Sequence, residues 1–224
     1  MKTAFAKYQH LGNDFIIIDD RQQTFPEDNK LIAALCQRQT GIGADGLILA
    51  QRSQNCTFKM RIFNCDGREA KSCGNGLLCF AKYCQEFLQL KASFLTIETL
   101  AGSRWAGYQP PDVLLNMGQP RFVKEVTLAD SVYLWIIAGV EHAVTFVPDV
   151  KKIDVAKIGA AVRHAAVFAP AGVNVDFVSW QEDSVFVRTF EKGVEAETFA
   201  CGSGAVAVAL ACQLKKGYTK PLRV

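Results

Sequence analysis

The hydrophobic pattern of the first half of the chain predicts short strands and two helices. Apolar and β-branched residues alternate or run together over lengths that are typical of strands. The predicted strands are 4–10, 15–20, 47–51, 58–64, 94–100 and 103–108. Apolar residues recur at helical spacing in 29–39 and 76–90, which predicts one helix in each stretch.

Two consecutive prolines, Pro110 and Pro111, interrupt this pattern, because proline removes a backbone donor and breaks regular elements. We predict a domain boundary here, with an N-terminal half of 1–108 and a C-terminal half of 109–224. The second half repeats the mixture of strands and helices. Its predicted strands are 113–118, 132–139, 143–147, 174–180 and 184–190, and its predicted helices are 157–168 and 204–216.

The glycine-rich stretch 41–46 matches the G-x-G-x-x-G pattern of dinucleotide-binding proteins. That fingerprint requires a strand before it and a helix opening from it. Here a predicted helix comes first and a predicted strand follows. The stretch is therefore interpreted as a tight glycine turn.

Composition and charge exclude several classes of function. A net charge of +3 with scattered basic residues argues against a nucleic-acid surface. No signal peptide is evident, and the apolar stretch 132–140 is too short to span a membrane. A cytoplasmic location follows as the expectation, so the eight cysteines are expected to be thiols rather than disulfides.

The spacing of the cysteines argues against a metal site. The sequence has no C-x-x-C pair, and its three histidines lie far apart. Most free cysteines belong to the hydrophobic core, and six of the eight are interpreted in this way. These six are Cys36, Cys56, Cys65, Cys79, Cys84 and Cys212.

The remaining two, Cys73 and Cys201, lie in an internal repeat. Residues 69–84 and 197–212 share six identities in sixteen positions at an offset of 128. In both copies the cysteine comes just before a glycine-flanked turn that opens an apolar helix. The clustering of identities on one motif indicates a duplication.

The repeated motif predicts reactive thiols. Free N–H groups at a helix start carry partial positive charge, which lowers the pKa of a thiol there and binds anions. If the two halves face each other, one thiolate removes an α-proton while the opposite thiol delivers a proton to the other face. A substrate carboxylate would accept N–H bonds from Gly74, Asn75, Gly202 and Ser203. This scheme inverts an α-carbon without pyridoxal phosphate or any other cofactor.

These motifs resemble the diaminopimelate epimerase family through nearly the whole chain. The stretches that carry the resemblance are 5–7, LGNDF (11–15), GIGADGLIL (41–49), MRIFNCDGREAKSCGNG (60–76), NMGQP (116–120), GVEH (139–142), VN (173–174) and RTFEKGVEAETFACGSGA (188–205). The resemblance implies an α+β fold of two pseudo-symmetric domains, each with a curved, mostly antiparallel sheet around a central helix. It also implies an isomerase that interconverts LL- and meso-diaminopimelate, in lysine and peptidoglycan precursor synthesis, and that forms a homodimer.

The resemblance also implies roles for individual residues. Cys73 and Cys201 match the acid/base pair, while His142 and Glu191 match polar neighbours that tune the thiols and hold the ammonium group. The positions that match substrate contacts are Asn13, Asn64, Gly74, Asn75, Asn174, Glu191, Lys192, Gly202 and Ser203.

Three departures from the family pattern limit what the resemblance implies. The family commonly has G-N-P-H where this chain has Gly-Val-Glu-His at 139–142, and Glu-Arg-Gly where it has Glu-Lys-Gly at 191–193. Lysine offers a carboxylate a point charge rather than two parallel bonds. We expect weaker or broader selectivity for the far end of the substrate. The third departure is that the resemblance stops at 221–224, where the family continues with further strands.

Three alternative functions remain open from the sequence. A proline-type racemase or a related isomerase would use the same thiol pair with another side-chain pocket. A cysteine hydrolase would pair one cysteine with His142 but would leave the duplication unexplained. A catalytically silent amino-acid-binding protein would bind its ligand without exchanging the α-proton.

Overall fold

The computed structural model describes residues 3–71, 73–88, 90, 92–110, 112–181 and 184–224. The chain forms two compact units, of which the first ends at Asn116 and the second runs Met117–Val224. Each unit combines one sheet with helices, so the predicted α+β class is confirmed. The predicted boundary between residues 108 and 109 falls inside the last hairpin of the first sheet, which continues to Leu115. Pro111, one of the two prolines that indicated it, lies outside the described residues.

The first unit contains eight strands and two helices among its described residues. Its strands are β1 (Ala6–His10), β2 (Asn13–Asp19), β3 (Gly46–Gln51), β4 (Phe58–Asn64), β5 (Glu69–Ala70), β6 (Phe94–Thr99), β7 (Gly102–Gln109) and β8 (Asp112–Leu115). Its helices are α1 (Asn29–Cys36) and α2 (Gly74–Glu86). The predicted helix 76–90 includes Gln89, which lies outside the described residues.

The sheet of the first unit bends around α2. Its strand order is β1-β2-β3-β4-β6-β7-β8, with β5 paired to β4. Helix α2 contacts both edge strands, β1 and β8, as well as strands between them. Leu77, Phe80, Ala81 and Cys84 recur at helical spacing and are all buried, so this apolar stripe fixes the helix against the sheet.

The second unit contains six strands and two α-helices among its described residues. Its strands are β9 (Arg121–Leu128), β10 (Ser131–Ala138), β11 (Val140–Phe146), β12 (Asn174–Gln181), β13 (Ser184–Glu191) and β14 (Ala196–Thr198). Its helices are α3 (Val155–Arg163) and α4 (Gly202–Lys216), and Val150–Lys152 and Ala166–Phe168 form short 3₁₀ turns. The predicted helix 157–168 was therefore one α-helix followed by a separate 3₁₀ turn.

The sheet of the second unit has the order β14-β13-β12-β11-β10-β9. Only β11 and β12 pair in parallel among the strands of this sheet, and α4 packs on β10, β11 and β12. The sequence pattern missed β9, because most of its side chains are exposed or half-buried at the edge of the sheet. A strand without a buried face lacks the alternation from which strands are predicted.

A matching ion pair precedes the cysteine in each unit. On β4 and β5, Arg61 donates two hydrogen bonds to Glu69, at 2.7 and 2.9 Å. On β13 and β14, Arg188 donates two hydrogen bonds to Glu197, both at 2.6 Å. The structural equivalence of Glu69 and Glu197, which the repeat aligns, supports the duplication.

The glycine stretch 41–46 follows α1 and leads into β3, whose first residue is Gly46, as predicted for a turn rather than a dinucleotide fingerprint. A Cβ on Gly41 would lie 2.2 Å from the carbonyl oxygen of Ala34, so this close approach requires glycine. No helix in the described part of the chain is long and apolar enough to cross a membrane.

The cysteines assigned to the core differ in exposure. Four of the six are buried: Cys36, Cys79, Cys84 and Cys212. Cys56 is half-buried, with its sulfur 3.4 Å from the Ser103 hydroxyl. The prediction was wrong for Cys65, which is exposed in the turn after β4, because the last apolar residue of that strand is Phe63, two residues earlier.

Candidate active-site clusters

Cys73 is the N-cap residue of α2. Its backbone is extended (φ −147°, ψ 123°), and its sulfur accepts a hydrogen bond from the Gly76 N–H at 3.5 Å. The first intrahelical bond runs from the Leu77 N–H to the Cys73 carbonyl oxygen. The N–H groups of Gly74 and Asn75 therefore precede the hydrogen-bonded part of the helix and contribute to the partial positive charge at its N-terminus.

The β1–β2 hairpin holds the start of α2. Its turn residues, Leu11 and Gly12, both have positive φ (51° and 84°), the conformation of a tight two-residue hairpin turn. This turn pairs His10 with Asn13. A ring nitrogen of His10, Nδ1, lies 3.0 Å from Asn75 Oδ1, and Asn13 Nδ2 lies 4.0 Å from Cys73 Sγ. We call His10, Asn13, Cys73 and Asn75 the Cys73 cluster.

Asn64, the remaining predicted contact in the first unit, ends β4 and is exposed. Its N–H donates to the Arg68 carbonyl oxygen, and its own carbonyl accepts from the Gly67 N–H. Its main chain therefore belongs to the turn between β4 and β5 rather than to the start of α2.

Cys201 is the N-cap residue of α4 and repeats the geometry of Cys73. Its backbone is extended (φ −127°, ψ 108°), and its sulfur accepts from the Gly204 N–H at 3.4 Å. The Ala205 N–H donates to the Cys201 carbonyl oxygen at 2.9 Å, which leaves Gly202 and Ser203 before the first intrahelical bond.

The Ser203 side chain connects Cys201 to a buried histidine and carboxylate. The Ser203 Oγ lies 3.4 Å from Cys201 Sγ and 2.9 Å from His142 Nε2. The other ring nitrogen, His142 Nδ1, lies 2.7 Å from Asp176 Oδ2. Both His142 and Asp176 are fully buried. Thr189, opposite Asp176 in the β12–β13 register, donates to the second carboxylate oxygen at 2.7 Å.

Asn174 is buried beside His142, its partner in the parallel β11–β12 register. The Asn174 Oδ1 accepts from the Lys192 N–H at 2.8 Å, and its Nδ2 lies 3.4 Å from His142 Nε2. A backbone N–H can only donate, so the Asn174 amide oxygen must face Lys192 and its NH₂ group must face the histidine. We call His142, Asn174, Asp176, Cys201 and Ser203 the Cys201 cluster.

Glu191 and Lys192 lie at the end of β13. The Thr198 hydroxyl donates to Glu191 Oε1 at 2.5 Å. The Lys192 ammonium lies 2.9 Å from Glu141 Oε2 and 3.4 Å from the Gly172 carbonyl oxygen. The positive charge of Lys192 is therefore balanced by Glu141, which belongs to the Gly-Val-Glu-His stretch that departs from the family pattern.

Burial has the largest effect on the pKa of the Cys201 thiol. Burial, together with the negative charges of Asp176 and Glu191, raises the pKa of the Cys201 thiol to about 12. The hydrogen bonds from Ser203 and the Gly204 N–H act in the opposite direction but do not outweigh burial. The expectation that a helix start lowers the thiol pKa was thus wrong for Cys201, because desolvation opposes the thiolate more strongly.

Sequence reasoning missed His10, Asp176 and Thr189 as members or neighbours of the clusters. His10 is found only through the hairpin register, and Asp176 and Thr189 only through strand pairing. Within the described residues, no group of three or more histidine, cysteine or acidic side chains is placed to hold a metal ion.

Comparison with known proteins identifies relatives over most of the chain. The family model described as diaminopimelate epimerase matches residues 5–123 and 134–224. A diaminopimelate epimerase of Flavobacterium psychrophilum is 40% identical over 209 residues, which cover 92% of this chain and 79% of that protein. A diaminopimelate epimerase of Methanocella arvoryzae is 37% identical over 237 residues, which cover 98% of this chain and 84% of that protein.

Solved structures share the fold at lower identity. A phenazine biosynthesis protein of the PhzF family from Bacillus anthracis matches with a TM-score of 0.72 and 15% identity, covering 98% of this chain and 83% of that chain. At this identity the likeness concerns the fold alone, and it confirms the predicted architecture.

Proposed function

Because the chain belongs to the diaminopimelate epimerase family, we propose that Cys73 and Cys201 are the two groups with which it interconverts LL- and meso-diaminopimelate. The enzyme is an isomerase of lysine biosynthesis. The proline-type racemase is not favoured, because the family model and the relatives at 37–40% identity are diaminopimelate epimerases.

One observation carries the assignment of the two cysteines. Each unit has a cysteine at the N-cap of an apolar helix, and in each the residue two positions later is hydrogen-bonded to a histidine. A structural core cysteine needs neither the helix start nor the polar partners. A duplicated arrangement of this kind is what an enzyme needs when it must act on both faces of one carbon.

The helix starts supply the anion binding that the reaction requires. The N–H groups of Gly74 and Asn75, and those of Gly202 and Ser203, precede the first intrahelical bonds. They would hold the substrate carboxylate next to the reacting α-carbon. As the α-proton leaves, negative charge spreads onto that carboxylate, and the partial positive charge of both helix starts stabilises it.

Proton transfer then follows from the two sulfurs. The thiolate of one cysteine takes the proton from Cα and becomes a thiol. The thiol of the other gives its proton to the opposite face of Cα and becomes a thiolate. Burial keeps Cys201 protonated at neutral pH, so we assign Cys201 as the thiol that gives its proton to Cα and Cys73 as the thiolate that removes one. The reverse reaction exchanges the two roles.

Other residues of the second unit have the chemistry to hold the rest of the substrate. The Glu191 carboxylate suits the α-ammonium group, and Asn174 offers an amide. The Lys192 ammonium is already paired with Glu141, so it offers the far carboxylate of the substrate only part of its charge. Asn13 and Asn64 complete the contacts that the resemblance implies. We also propose that the protein is a homodimer and that it is located in the cytoplasm. Light scattering on the purified protein tests its oligomeric state.

The test compares epimerisation in heavy water by the wild type, Cys73→Ser and Cys201→Ser. We expect each substitution to lower kcat by about 10²- to 10⁴-fold, because a serine hydroxyl is a far weaker acid than a thiol and does not ionise to a base near neutral pH. Cys65→Ser is the matched control, since Cys65 is exposed and belongs to neither cluster. It should epimerise at the wild-type rate. If both cluster variants epimerise normally, the assignment is wrong.

The same assay, with covalent trapping and a binding measurement, separates the other functions. Exchange at Cα of proline but not of diaminopimelate would indicate the racemase. An acyl-enzyme trapped on one cysteine would indicate a hydrolase. Tight binding of diaminopimelate without exchange would indicate a silent binding protein.

A further inference from the structure

The hydrogen bonds of the Cys201 cluster form a continuous path from a sulfur to a buried carboxylate. The path runs from Cys201 Sγ to Ser203 Oγ, then to the two ring nitrogens of His142, and ends at Asp176. Its three links measure 3.4, 2.9 and 2.7 Å. Sulfur forms longer hydrogen bonds than oxygen or nitrogen does, so the whole path is connected.

The neighbours of His142 determine where its proton lies. An ionised carboxylate can only accept, so Asp176 requires the proton on Nδ1. The NH₂ group of Asn174 is fixed toward Nε2, because its amide oxygen accepts from the Lys192 N–H. Nε2 is therefore the unprotonated ring nitrogen and has a single lone pair. The Ser203 hydroxyl, at 2.9 Å, lies closer to it than the Asn174 NH₂ group, at 3.4 Å.

The Ser203 hydroxyl can transmit a proton in both directions. A hydroxyl has one proton and two lone pairs. When Cys201 is a thiol, Ser203 accepts from the S–H and donates to Nε2. When Cys201 is a thiolate and His142 is an imidazolium, Ser203 accepts from Nε2 and donates to the sulfur.

We propose that Ser203, His142 and Asp176 form a proton relay for Cys201, in which Asp176 is a positioning residue. The Cys201 S–H bond breaks and its proton moves to Ser203 Oγ, while the Ser203 proton moves to His142 Nε2. The sulfur keeps the bonding pair and becomes a thiolate, and the ring becomes an imidazolium beside the Asp176 carboxylate. Charge and protons balance, and no other reactant is needed. The use of this thiolate as a base in epimerisation rests on the proposed function.

Asp176 is built into the unit in a way that fits this role. Both of its oxygens have donors, His142 on one and Thr189 on the other. It also lies against the first turn of α4, where a Cβ on Gly204 would be 2.6 Å from Asp176 Oδ1. The positive end of the helix favours the buried carboxylate, and the carboxylate in turn stabilises an imidazolium.

The relay distinguishes the second unit from the first. At the position equivalent to Ser203, the first unit has Asn75, whose amide contacts His10. A carboxamide does not accept and release a proton as readily as a hydroxyl does. Burial and the charges of Asp176 and Glu191 keep the Cys201 proton bound, so this sulfur in particular needs an acceptor within reach.

Alkylation of the thiols by iodoacetamide tests the relay without any substrate, because only the thiolate reacts. The rates at Cys201, Cys73 and Cys65 are measured separately by peptide mass spectrometry in wild type, Ser203→Ala, Ser203→Thr and Asp176→Asn. We expect Ser203→Ala and Asp176→Asn to slow alkylation at Cys201 by about tenfold, the effect of one lost hydrogen bond to a charged group. Ser203→Thr, which keeps the hydroxyl, should restore the rate lost in Ser203→Ala.

The other two cysteines make the measurement specific. Cys73 and Cys65 should react at wild-type rates in every variant, whereas a general loosening of the fold would change them too. The relay is refuted if Ser203→Ala leaves the Cys201 rate within twofold of wild type, or if Ser203→Thr fails to restore it. The two serine variants decide between these outcomes even if Asp176→Asn does not fold. A wild type that shows the relay but does not epimerise diaminopimelate would overturn the proposed function and leave the relay intact.

Discussion

Gly204→Ala tests how closely Asp176 packs under the start of α4. The new Cβ would lie 2.6 Å from Asp176 Oδ1 and 3.2 Å from the Cβ of Cys201. Ordinary van der Waals contact begins near 3.4 Å. The carboxylate is held by His142 and Thr189, each at 2.7 Å, so it cannot move away without stretching one of these bonds.

The size of the effect follows from opposing contributions. Overpacking of a tight site costs about 1–3 kcal/mol, and weakening a buried hydrogen bond costs about 1 kcal/mol. Alanine in place of glycine returns up to about 1 kcal/mol of helix propensity. We therefore expect a net loss of about 2 kcal/mol in the free energy of unfolding. For a chain of this size that corresponds to a fall in Tm of about 4–8 °C.

Thermal unfolding followed by circular dichroism measures this change, with Gly202→Ala as the matched control in the same helix turn. The nearest atom to a Cβ on Gly202 is Met117 Cε at 3.9 Å, so that variant should be at least as stable as wild type. Equal stability of Gly204→Ala and Gly202→Ala would refute the packing of Asp176 against this helix.

Two further predictions concern selectivity and pH. Lys192→Arg and Glu141→Gln should each lower the KM for diaminopimelate by about three- to tenfold more than the KM for shorter amino acids. Both substitutions give the far carboxylate of diaminopimelate a stronger cationic partner. Unchanged steady-state kinetics on both substrate classes would contradict this prediction. Burial opposes ionisation of Asp14, but hydrogen bonds from Arg38 and Lys7 overcome it and hold the pKa of that carboxyl well below its usual range. A carboxyl whose pKa is lower in the folded than in the unfolded state, where it is about 4, stabilises the fold above that pH, and this stabilisation is lost as the pH falls below it. Asp14→Asn should therefore lower the free energy of unfolding by about 1 kcal/mol at pH 7 and by progressively less below pH 4, as measured by urea titration. A loss of stability that does not depend on pH would contradict this prediction.

Local signals in the sequence were sufficient to locate the two cysteines. A helix was predicted shortly after each cysteine, from residue 76 and from residue 204, and the observed helices begin two residues earlier, at Gly74 and Gly202. The strand at 58–64 was predicted with its observed limits, because its apolar residues face the core. These features depend on neighbouring residues in the chain.

The surroundings of the cysteines depend on pairing between distant strands, which no local pattern encodes. Asp176 meets Thr189 only through the β12–β13 register, and His142 meets Asn174 only through the parallel β11–β12 register. The acidity of Cys201 could not be predicted for the same reason. Its helix start is visible in the sequence, whereas its burial and the nearby carboxylates are products of the tertiary fold.

The most direct test of two cysteines acting on one α-carbon is to measure which molecule, product or recovered substrate, carries deuterium after a single turnover. LL-diaminopimelate is incubated with the wild-type enzyme in heavy water and stopped at low conversion, and mass spectrometry gives the deuterium content of product and recovered substrate. A proton removed by one sulfur and replaced by the other predicts a product with one deuterium at the inverted carbon and a substrate with almost none. A product that retains the original proton would contradict the two-cysteine mechanism.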